Sequence, residues 1–177
     1  MATQQGFPVK VYIYDLSKGL ARSLSQGFLG RQIDGIWHTG IVVYGEEYFF
    51  GGSTGIECCR PGGTILGQPD QMIEVGKTEI PKDLFMEYLR ELSSSTYKPD
   101  KYHLLDHNCN TFSNEAAEFL TGKGIPSHIT SLPADVLSTP FGAMIRPFVD
   151  EMHVQGGHSL FPAPGNYPAG SRGNNAS

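Results

Sequence analysis

The chain has 177 residues and a formal net charge of −5, from 13 basic and 18 acidic side chains. Nucleic acid is excluded as the main partner, because phosphate binding needs clustered cations that this acidic composition lacks. With 39% hydrophobic residues the chain can bury one core, and its 22 glycines and 12 prolines predict many turns. No apolar run reaches about 18 residues, so we expect no membrane span.

The cysteines and the first residues indicate the compartment. Cys58 and Cys59 are adjacent, where an unstrained disulfide is geometrically unfavourable, and the total of three is odd. The N terminus lacks the apolar core of a signal peptide, and Ala2 stands where N-myristoylation needs a glycine. We therefore expect a reducing location, in the cytoplasm and the nucleus. Cys58 and Cys59 are predicted on a strand, with one side chain buried and one exposed.

Alternating apolar and polar residues predict strands in the first half of the chain. Residues 9–14 alternate as a strand with one buried face does. Residues 37–44 are rich in β-branched and aromatic side chains and turn at Gly45 into a second apolar run, which is typical of a hairpin. We predict five strands in all, at 9–14, 37–44, 47–50, 56–58 and 72–75.

Apolar residues spaced three and four apart predict helices. The first helix, capped by Asp15 or Ser17, ends at Gly27 and Gly30. Three more helices are predicted, from Pro81 to about Ser93, from Cys109 to Leu120 and from Phe141 to Met152. Strands followed by helices are typical of an α+β fold.

One folded domain is expected over residues 7–152. The remaining residues, 153–177, are rich in Gly, Pro, Ser and Asn and hold few side chains that could bury much area. Such a segment cannot offset the conformational entropy lost on ordering, so we predict a disordered tail.

Cys109 is the candidate nucleophile. It stands where a loop enters a predicted helix, and the partial positive charge of a helix N-terminus lowers the pKa of a thiol. Asn108 and Asn110 flank it and could cap the helix or donate hydrogen bonds to an oxyanion. Most lone cysteines are small buried hydrophobes, so the pattern by itself leaves packing and catalysis both open.

His38 is the candidate general base. It lies at the start of the most strand-like run of the chain, and a strand is a rigid mount for an imidazole that serves a thiol. A histidine hydrogen-bonded at the edge of a sheet is the alternative interpretation.

Both residues lie within a set of motifs that resembles a known family. The motifs are Val11-Tyr12-Ile13-Tyr14-Asp15-Leu16-Ser17, Trp37-His38-Thr39-Gly40-Ile41-Val42-Val43, Tyr48-Phe49-Phe50-Gly51, His107-Asn108-Cys109-Asn110-Thr111-Phe112-Ser113-Asn114 and Leu137-Ser138-Thr139-Pro140-Phe141-Gly142. They are similar to the PPPDE family of permuted papain-like peptidases, in its first branch of desumoylating isopeptidases. The resemblance implies a circularly permuted papain-like cysteine peptidase fold, with an N-terminal antiparallel sheet followed by helices.

The resemblance also implies an activity. Cys109 is the implied nucleophile and His38 the implied base of a cysteine isopeptidase that removes SUMO from conjugated proteins through a thioester. Ubiquitin conjugates are a second substrate class, and a homodimer is expected. No third orienting residue is identifiable at a short spacing after His38, so a dyad is expected. Two other functions stay open: an acyl-protein thioesterase or lipid acyltransferase-like enzyme, and a catalytically silent module that binds ubiquitin-like proteins.

Two further residue patterns concern the substrate and metals. Trp37 could cover the narrow glycine tail of SUMO as a gate, but side chains alternate along a strand, so it should face away from His38 and pack in the core.

His103, His107 and Cys109 suggest a metal site if the histidines share a helix face. No fourth ligand has a diagnostic spacing, and a metal would occupy the thiolate. We expect neither a metal nor a cofactor.

Overall fold

A computed structural model describes residues 5–30, 32–51, 54–103, 107–131, 139–140, 142–144 and 157–161. The strands are β1 (Phe7–Asp15), β2 (Trp37–Val43), β3 (Glu46–Gly51), β4 (Gly55–Cys59), β5 (Gln71–Thr78) and β6 (His158–Ser159). The helices are α1 (Leu20–Leu29), α2 (Lys82–Ser94), α3 (Cys109–Thr121) and α4 (Ser127–Thr130), with a 3₁₀ turn at Pro99–Lys101. The strands form one antiparallel sheet in the order β5-β1-β2-β3-β4-β6, which confirms the α+β class.

The sheet follows the predicted alternation. In β1 the three apolar residues of the pattern are fully buried: Val9, Val11 and Ile13. The predicted hairpin of β2 and β3 turns at Tyr44 and Gly45, with φ angles of 54° and 78°. Two successive positive φ angles belong to a type I′ turn, whose twist matches that of the strands it joins.

The main core lies between one face of this sheet and the helices. α3 lies across β2, β3 and β5, and α2 packs beside it. The residues that α2 and α3 bury there are Phe85, Leu89, Leu92, Phe112, Ala116, Ala117 and Leu120. Leu84 of α2, by contrast, is half exposed. None of the described helices is long and apolar enough to cross a bilayer.

The predicted ends agree with the structure for α3, whereas the start of α1 differs from the prediction. α3 begins at Cys109 and ends at Gly122, which adopts the left-handed conformation that favours glycine. α1 begins after Gly19, and the Asp15 carboxylate instead accepts backbone N–H groups of the turn before it. The same carboxylate binds the N–H of Ile36, so Asp15 joins the end of β1 to the start of β2.

Cys58 and Cys59 are both buried, so the prediction that one of them is exposed is wrong. Cys58 lies on the core face of β4, and its Sγ is 3.5 Å from the Nε2 atom of His158. Cys59 lies on the other face, because successive side chains alternate along a strand. Burial raises the pKa of both thiols, that of Cys59 to about 11.

Part of the predicted disordered tail is ordered. Residues 157–161 add β6 to the edge of β4, with Ser159 opposite Glu57. The side chain of Arg90 lies over the Phe161 ring at 5.5 Å. For these five residues the prediction of disorder is wrong, because strand pairing and ring contacts offset the ordering entropy. The rest of the tail lies outside the described residues, as does most of the predicted helix 141–152, of which residues 142–144 are helical.

A truncation series tests the contribution of β6 to stability. A chain that ends at Phe161 keeps every described contact of the tail, whereas one that ends at Met152 loses the strand and the Arg90 contact. The shorter chain is expected to lose about 2 kcal/mol, which lowers the melting temperature by several degrees. Calorimetry of both variants measures the difference, and equal melting temperatures would contradict it.

Candidate active site

The candidate site lies where β3 separates from β2. The two strands pair only at Ile41 with Tyr48, Val42 with Glu47 and Val43 with Glu46. The first residues of β2, 37–40, have no partner on β3 among the described pairs, and the far end of β3 pairs only with β4. The hydrogen-bond ladder between these two central strands therefore has a gap beyond Ile41, and the backbone groups that border this gap need other partners.

The first turn of α3 supplies those partners. The Asn110 side chain donates from Nδ2 to the Trp37 carbonyl oxygen at 2.8 Å and accepts at Oδ1 from the Thr39 hydroxyl, also at 2.8 Å. One turn later the Ser113 hydroxyl donates to the Thr39 carbonyl oxygen at 3.2 Å. Asn110 thus holds the residues on both sides of His38, so the candidate base and the start of α3 are fixed to each other.

Asn108 serves as the cap of α3, one of the two roles considered for it. Its side-chain oxygen accepts the N–H groups of Asn110 and Thr111, and the Thr111 hydroxyl accepts the N–H of Asn108 in return. This reciprocal capping box fixes where the helix begins. Cys109 is therefore the first helical residue, as predicted.

The Cys109 sulfur is almost enclosed, with 5% of the residue exposed. The thiol donates to the Asn110 Oδ1 atom at 3.8 Å. Burial raises the pKa of the thiol to about 11, and it outweighs the neighbouring polar groups of Thr39, Asn110 and Tyr102, which lower that pKa. The predicted low pKa is thus wrong for the closed site, because a helix N-terminus offsets only part of the desolvation of a buried thiolate.

His38 lies on the other face of β2, opposite Tyr14 of β1 in the strand register. Its ring is between those of Tyr14 and Phe49, with centroid distances of 5.7 Å to each. The residue is 2% exposed, and no group of the described residues is hydrogen-bonded to its Nε2 atom. Burial lowers the pKa of His38 to about 3, so the imidazole is neutral at physiological pH.

The structure brings Cys109 and His38 to one short segment of β2. The thiol donates to the Asn110 Oδ1 atom, which also accepts a hydrogen bond from the hydroxyl of Thr39, the residue that follows His38. Both groups are neutral at rest, so the structure argues against a thiolate–imidazolium ion pair before substrate binds. A neutral imidazole within hydrogen-bond reach of a neutral thiol can accept its proton during nucleophilic attack.

Trp37 lies on the α3 side of the sheet, so the prediction that it faces away from His38 is confirmed. Its indole packs against the core and edge-on against the His128 ring of α4 at 6.3 Å. Gly35 lies under the indole, where a Cβ atom would come within 2.6 Å of the ring. The half-buried indole therefore borders the same side of β2 as the start of α3.

The two histidines near Cys109 do not share a helix face. His103 and His107 pair as an isolated antiparallel bridge, and the ring of His107 stacks on Tyr97 at 4.5 Å. The Nε2 atom of His107 lies 2.6 Å from the Thr96 carbonyl oxygen. Within the described ranges, no group of three His, Cys, Asp or Glu side chains is placed to hold a metal ion.

A buried hydrogen-bonded pair, Tyr14 and Glu47, lies beyond His38 on the same face of the sheet. The Tyr14 hydroxyl donates to the Glu47 carboxylate at 2.8 Å, and the Gly62 N–H donates to it at 2.8 Å. Glu47 is fully buried, and burial raises its pKa. Its side chain covers Gly40, where a Cβ atom would lie 2.5 Å from Oε1.

The sequence patterns missed Tyr14, Phe49 and Tyr102 as neighbours of the candidate residues. Tyr14 and Phe49 lie on strands whose register with β2 is set by distant pairing. The one local signal in the sequence was the alternation of side chains along β1, which places Tyr14 on the face opposite Val11 and Ile13.

The family model and the relatives that match this chain indicate the same family. Residues 7–150 match the model of the "PPPDE putative peptidase domain". Desumoylating isopeptidase 1 of Rattus norvegicus is 58% identical over 156 residues, which cover 87% of this chain and 92% of the relative. The proteins of the same name from Homo sapiens and Xenopus laevis are 57% identical over 156 residues and 54% identical over 158 residues. These alignments cover 87% and 89% of this chain and 92% and 89% of the relatives.

The buried neutral state of His38 predicts acid sensitivity. The unfolded chain binds a proton at this site below about pH 6.5, whereas the folded chain does so only near pH 3, so stability falls as the pH drops between these values. By pH 5 the loss is about 2 kcal/mol. Thermal melting at pH 7 and pH 5 should therefore show a smaller acid shift for His38→Gln than for the wild type. Replacing the exposed His103 by Gln is the control, and equal shifts in all three proteins would contradict a buried neutral His38.

Proposed function

This chain belongs to the PPPDE peptidase family, and we propose that it is a cysteine isopeptidase that removes SUMO from conjugated proteins. The observation that supports the chemistry is the pair of hydrogen bonds by which Asn110, the residue after Cys109, binds Trp37 and Thr39 on either side of His38. Its relatives named desumoylating isopeptidase 1, with up to 58% identity across most of both chains, support the substrate class.

The first half-reaction forms a thioester. The Cys109 sulfur attacks the carbonyl carbon of the isopeptide bond at the last residue of the modifier, and the thiol proton passes to His38. The carbonyl electron pair moves onto oxygen, which gives a tetrahedral oxyanion. When this intermediate collapses, the C–N bond breaks, and the His38 imidazolium protonates the departing lysine amine.

The second half-reaction uses the same two residues. His38 is neutral again and accepts a proton from a water molecule that attacks the thioester carbonyl. The C–S bond breaks, the proton returns to the sulfur, and the modifier leaves with a free carboxylate. One imidazole thus acts as base and as acid in each half-reaction.

Burial determines when the thiol is activated. A thiol with a pKa of about 11 carries its proton at neutral pH, so proton transfer accompanies the attack on a bound carbonyl. The neutral His38 is in the form that accepts a proton. Displacement of water from a site with aligned N–H groups strengthens their interaction with the developing charge.

We assign positioning roles to the residues around the dyad. Asn110 holds the backbone on both sides of His38, and Asn108 fixes the first residue of α3. Trp37 is proposed to border the channel for the glycine tail of the modifier, since its indole lies on the α3 side of β2. The backbone N–H of Cys109 is the proposed donor to the oxyanion.

The same proposal includes an oligomeric state, a cellular location and a second class of substrate. We infer a homodimer and a cytoplasmic and nuclear location from the resemblance to desumoylating isopeptidases. All three cysteines are free, which agrees with a reducing compartment. Ubiquitin conjugates are a second substrate class. Assays with SUMO conjugates, ubiquitin conjugates and an acyl thioester in parallel separate these substrates, and hydrolysis of the thioester alone would favour a thioesterase.

The dyad predicts non-additive losses of activity. Cys109→Ser should abolish turnover of a SUMO conjugate, because a hydroxyl is a far weaker acid than a thiol of similar size. His38→Gln should lower kcat by about 1,000-fold or more, and the double variant should be no worse than Cys109→Ser. Turnover is measured alongside circular dichroism to verify folding. Independent, multiplying losses would show that the two residues act separately.

Asn110 offers a test of the positioning role. Asn110→Asp keeps the acceptor for Thr39 but places a carboxylate oxygen against the Trp37 carbonyl, which should displace β2 from α3 and lower kcat about tenfold or more. Asn114→Asp makes the same charge change one turn along α3, where the Nδ2 atom donates to the exposed Glu118 side chain and contacts no β2 residue among those described. That control should keep most of its activity. Equal activity of the two variants would remove the role assigned to Asn110.

A further inference from the structure

No hydrogen bond from the described residues holds the Nε2 atom of the His38 imidazole. The χ2 torsion of histidine has broad energy minima, so a ring without such a bond is oriented by the groups that pack against it. We propose that Tyr14, fixed in place by the Glu47 carboxylate, is the residue that positions the His38 imidazole for proton transfer. This proposal rests on the isopeptidase reaction described above and adds to it an orienting residue that the sequence patterns did not identify.

Strand register brings the Tyr14 ring against the imidazole. Tyr14 lies directly opposite His38 in the pairing of β1 with β2, so the two side chains share one face of the sheet. Their ring centroids are 5.7 Å apart, with an angle of 45° between the ring planes. Tyr14 is buried, so neighbouring groups of the protein limit the movement of its ring. An imidazole that turns about χ2 must therefore displace a buried phenol ring.

Glu47 fixes the far end of the Tyr14 ring. The Tyr14 hydroxyl donates to both carboxylate oxygens of Glu47, at 2.8 Å and 3.1 Å. The N–H of Gly62, in the loop after β4, donates to the same carboxylate at 2.8 Å. The phenol ring is thus held by its own strand β1, by a side chain of β3 and, through that side chain, by the loop after β4.

A glycine on β2 provides the space for this carboxylate. Gly40 is two residues after His38, so both residues face the same side of the sheet. A Cβ atom at Gly40 would come within 2.5 Å of the Oε1 atom and 2.8 Å of the Cγ atom of Glu47. A larger residue at this position would push the carboxylate away from Tyr14. Glu47 therefore occupies the side-chain position next to His38 on this face.

Phe49 covers the imidazole on another side. Its ring meets that of His38 edge-on, at an angle of 77° and a centroid distance of 5.7 Å. Gly157 packs against Phe49 in turn, since a Cβ atom at Gly157 would lie 2.6 Å from the Cζ atom of the ring. The imidazole thus lies between two buried rings, and Tyr14 is the one whose hydroxyl fixes its orientation.

A fixed imidazole serves both half-reactions of the proposed mechanism. Proton transfer requires the accepting nitrogen to lie within about 3 Å of the donor atom, and a misplacement of about 1 Å can cost about 100-fold in rate. His38 accepts and releases a proton in each half-reaction, so its ring must keep one orientation throughout. Tyr14 keeps its own proton and no bond to it forms or breaks. It is therefore a positioning residue that acts through His38.

A second tyrosine–glutamate pair, on the opposite face of the sheet, provides a matched control. Tyr48 is also fully buried, and its hydroxyl donates to the Glu46 carboxylate at 2.7 Å. Tyr48 lies on the core face, where its ring contacts Phe85 at a centroid distance of 5.3 Å. Tyr14→Phe and Tyr48→Phe therefore remove the same kind of hydrogen bond, but only the first removes it beside His38.

Nuclear magnetic resonance of the His38 ring nitrogens tests the proposal without any substrate. Tyr14→Phe should broaden or double these signals, because the imidazole then samples more than one orientation, whereas Tyr48→Phe should leave them as in the wild type. Gly40→Ala, which displaces Glu47, is the second variant and should act as Tyr14→Phe does. Melting temperatures verify that each variant is folded. Unchanged His38 signals in Tyr14→Phe overturn the proposal.

Turnover of a SUMO conjugate is the second measurement. Tyr14→Phe should lower kcat about tenfold with little change in KM, whereas Tyr48→Phe should keep the wild-type kcat. In the His38→Gln background, Tyr14→Phe should cause no further loss, because it acts through the imidazole. A further loss there, or an unchanged kcat in Tyr14→Phe alone, overturns the positioning role. If the wild type does not hydrolyse SUMO conjugates, the proposed function fails, whereas the His38 signals still decide whether Tyr14 orients the imidazole.

Discussion

The site depends on the gap that opens where β3 leaves β2. A central strand of an antiparallel sheet normally satisfies its backbone on both sides, but residues 37–40 do so only toward β1. The side chains of Asn110 and Ser113 take the place of the missing strand. Because unpaired buried backbone groups are costly, the gap and the first turn of α3 must form together. The candidate nucleophile and the candidate base are therefore positioned by the same hydrogen bonds that complete the sheet.

This arrangement also explains why the pKa values of Cys109 and His38 both favour the neutral form. Cys109 approaches β2 at the edge that lacks a strand, while His38 leaves the same strand on the face opposite the core and lies between two aromatic rings. Water is excluded from both groups, and desolvation moves their pKa values in opposite directions, each toward the neutral form. The polar groups around the sulfur counteract burial without reversing it. At rest the site holds a thiol and an imidazole rather than an ion pair.

The sequence allowed prediction of the elements that depend on local periodicity. The strands at 9–14, 37–44 and 47–50 and the helix that begins at Cys109 follow from alternation, turn residues and caps. The acid–base state of the site did not follow, because a helix N-terminus is a local feature whereas burial is the sum of distant contacts. Tyr102 was missed for a related reason, since only the bridge between His103 and His107 brings it to the cap of α3. The strand at His158 was missed because a segment of low hydrophobicity can still pair with an open sheet edge.

The burial of Cys109 and His38 has a consequence for the selectivity of the proposed isopeptidase. A thiol that keeps its proton and is almost fully enclosed reacts slowly with small electrophiles and with passing peptides. Reaction then requires binding energy from parts of the substrate away from the scissile bond, which offsets the cost of admitting a carbonyl and desolvating it. A folded modifier with a narrow extended tail can supply such contacts, whereas a short peptide with the same tail lacks them. Discrimination between the two should therefore appear in kcat as well as in KM, because the remote contacts are used to reach the transition state.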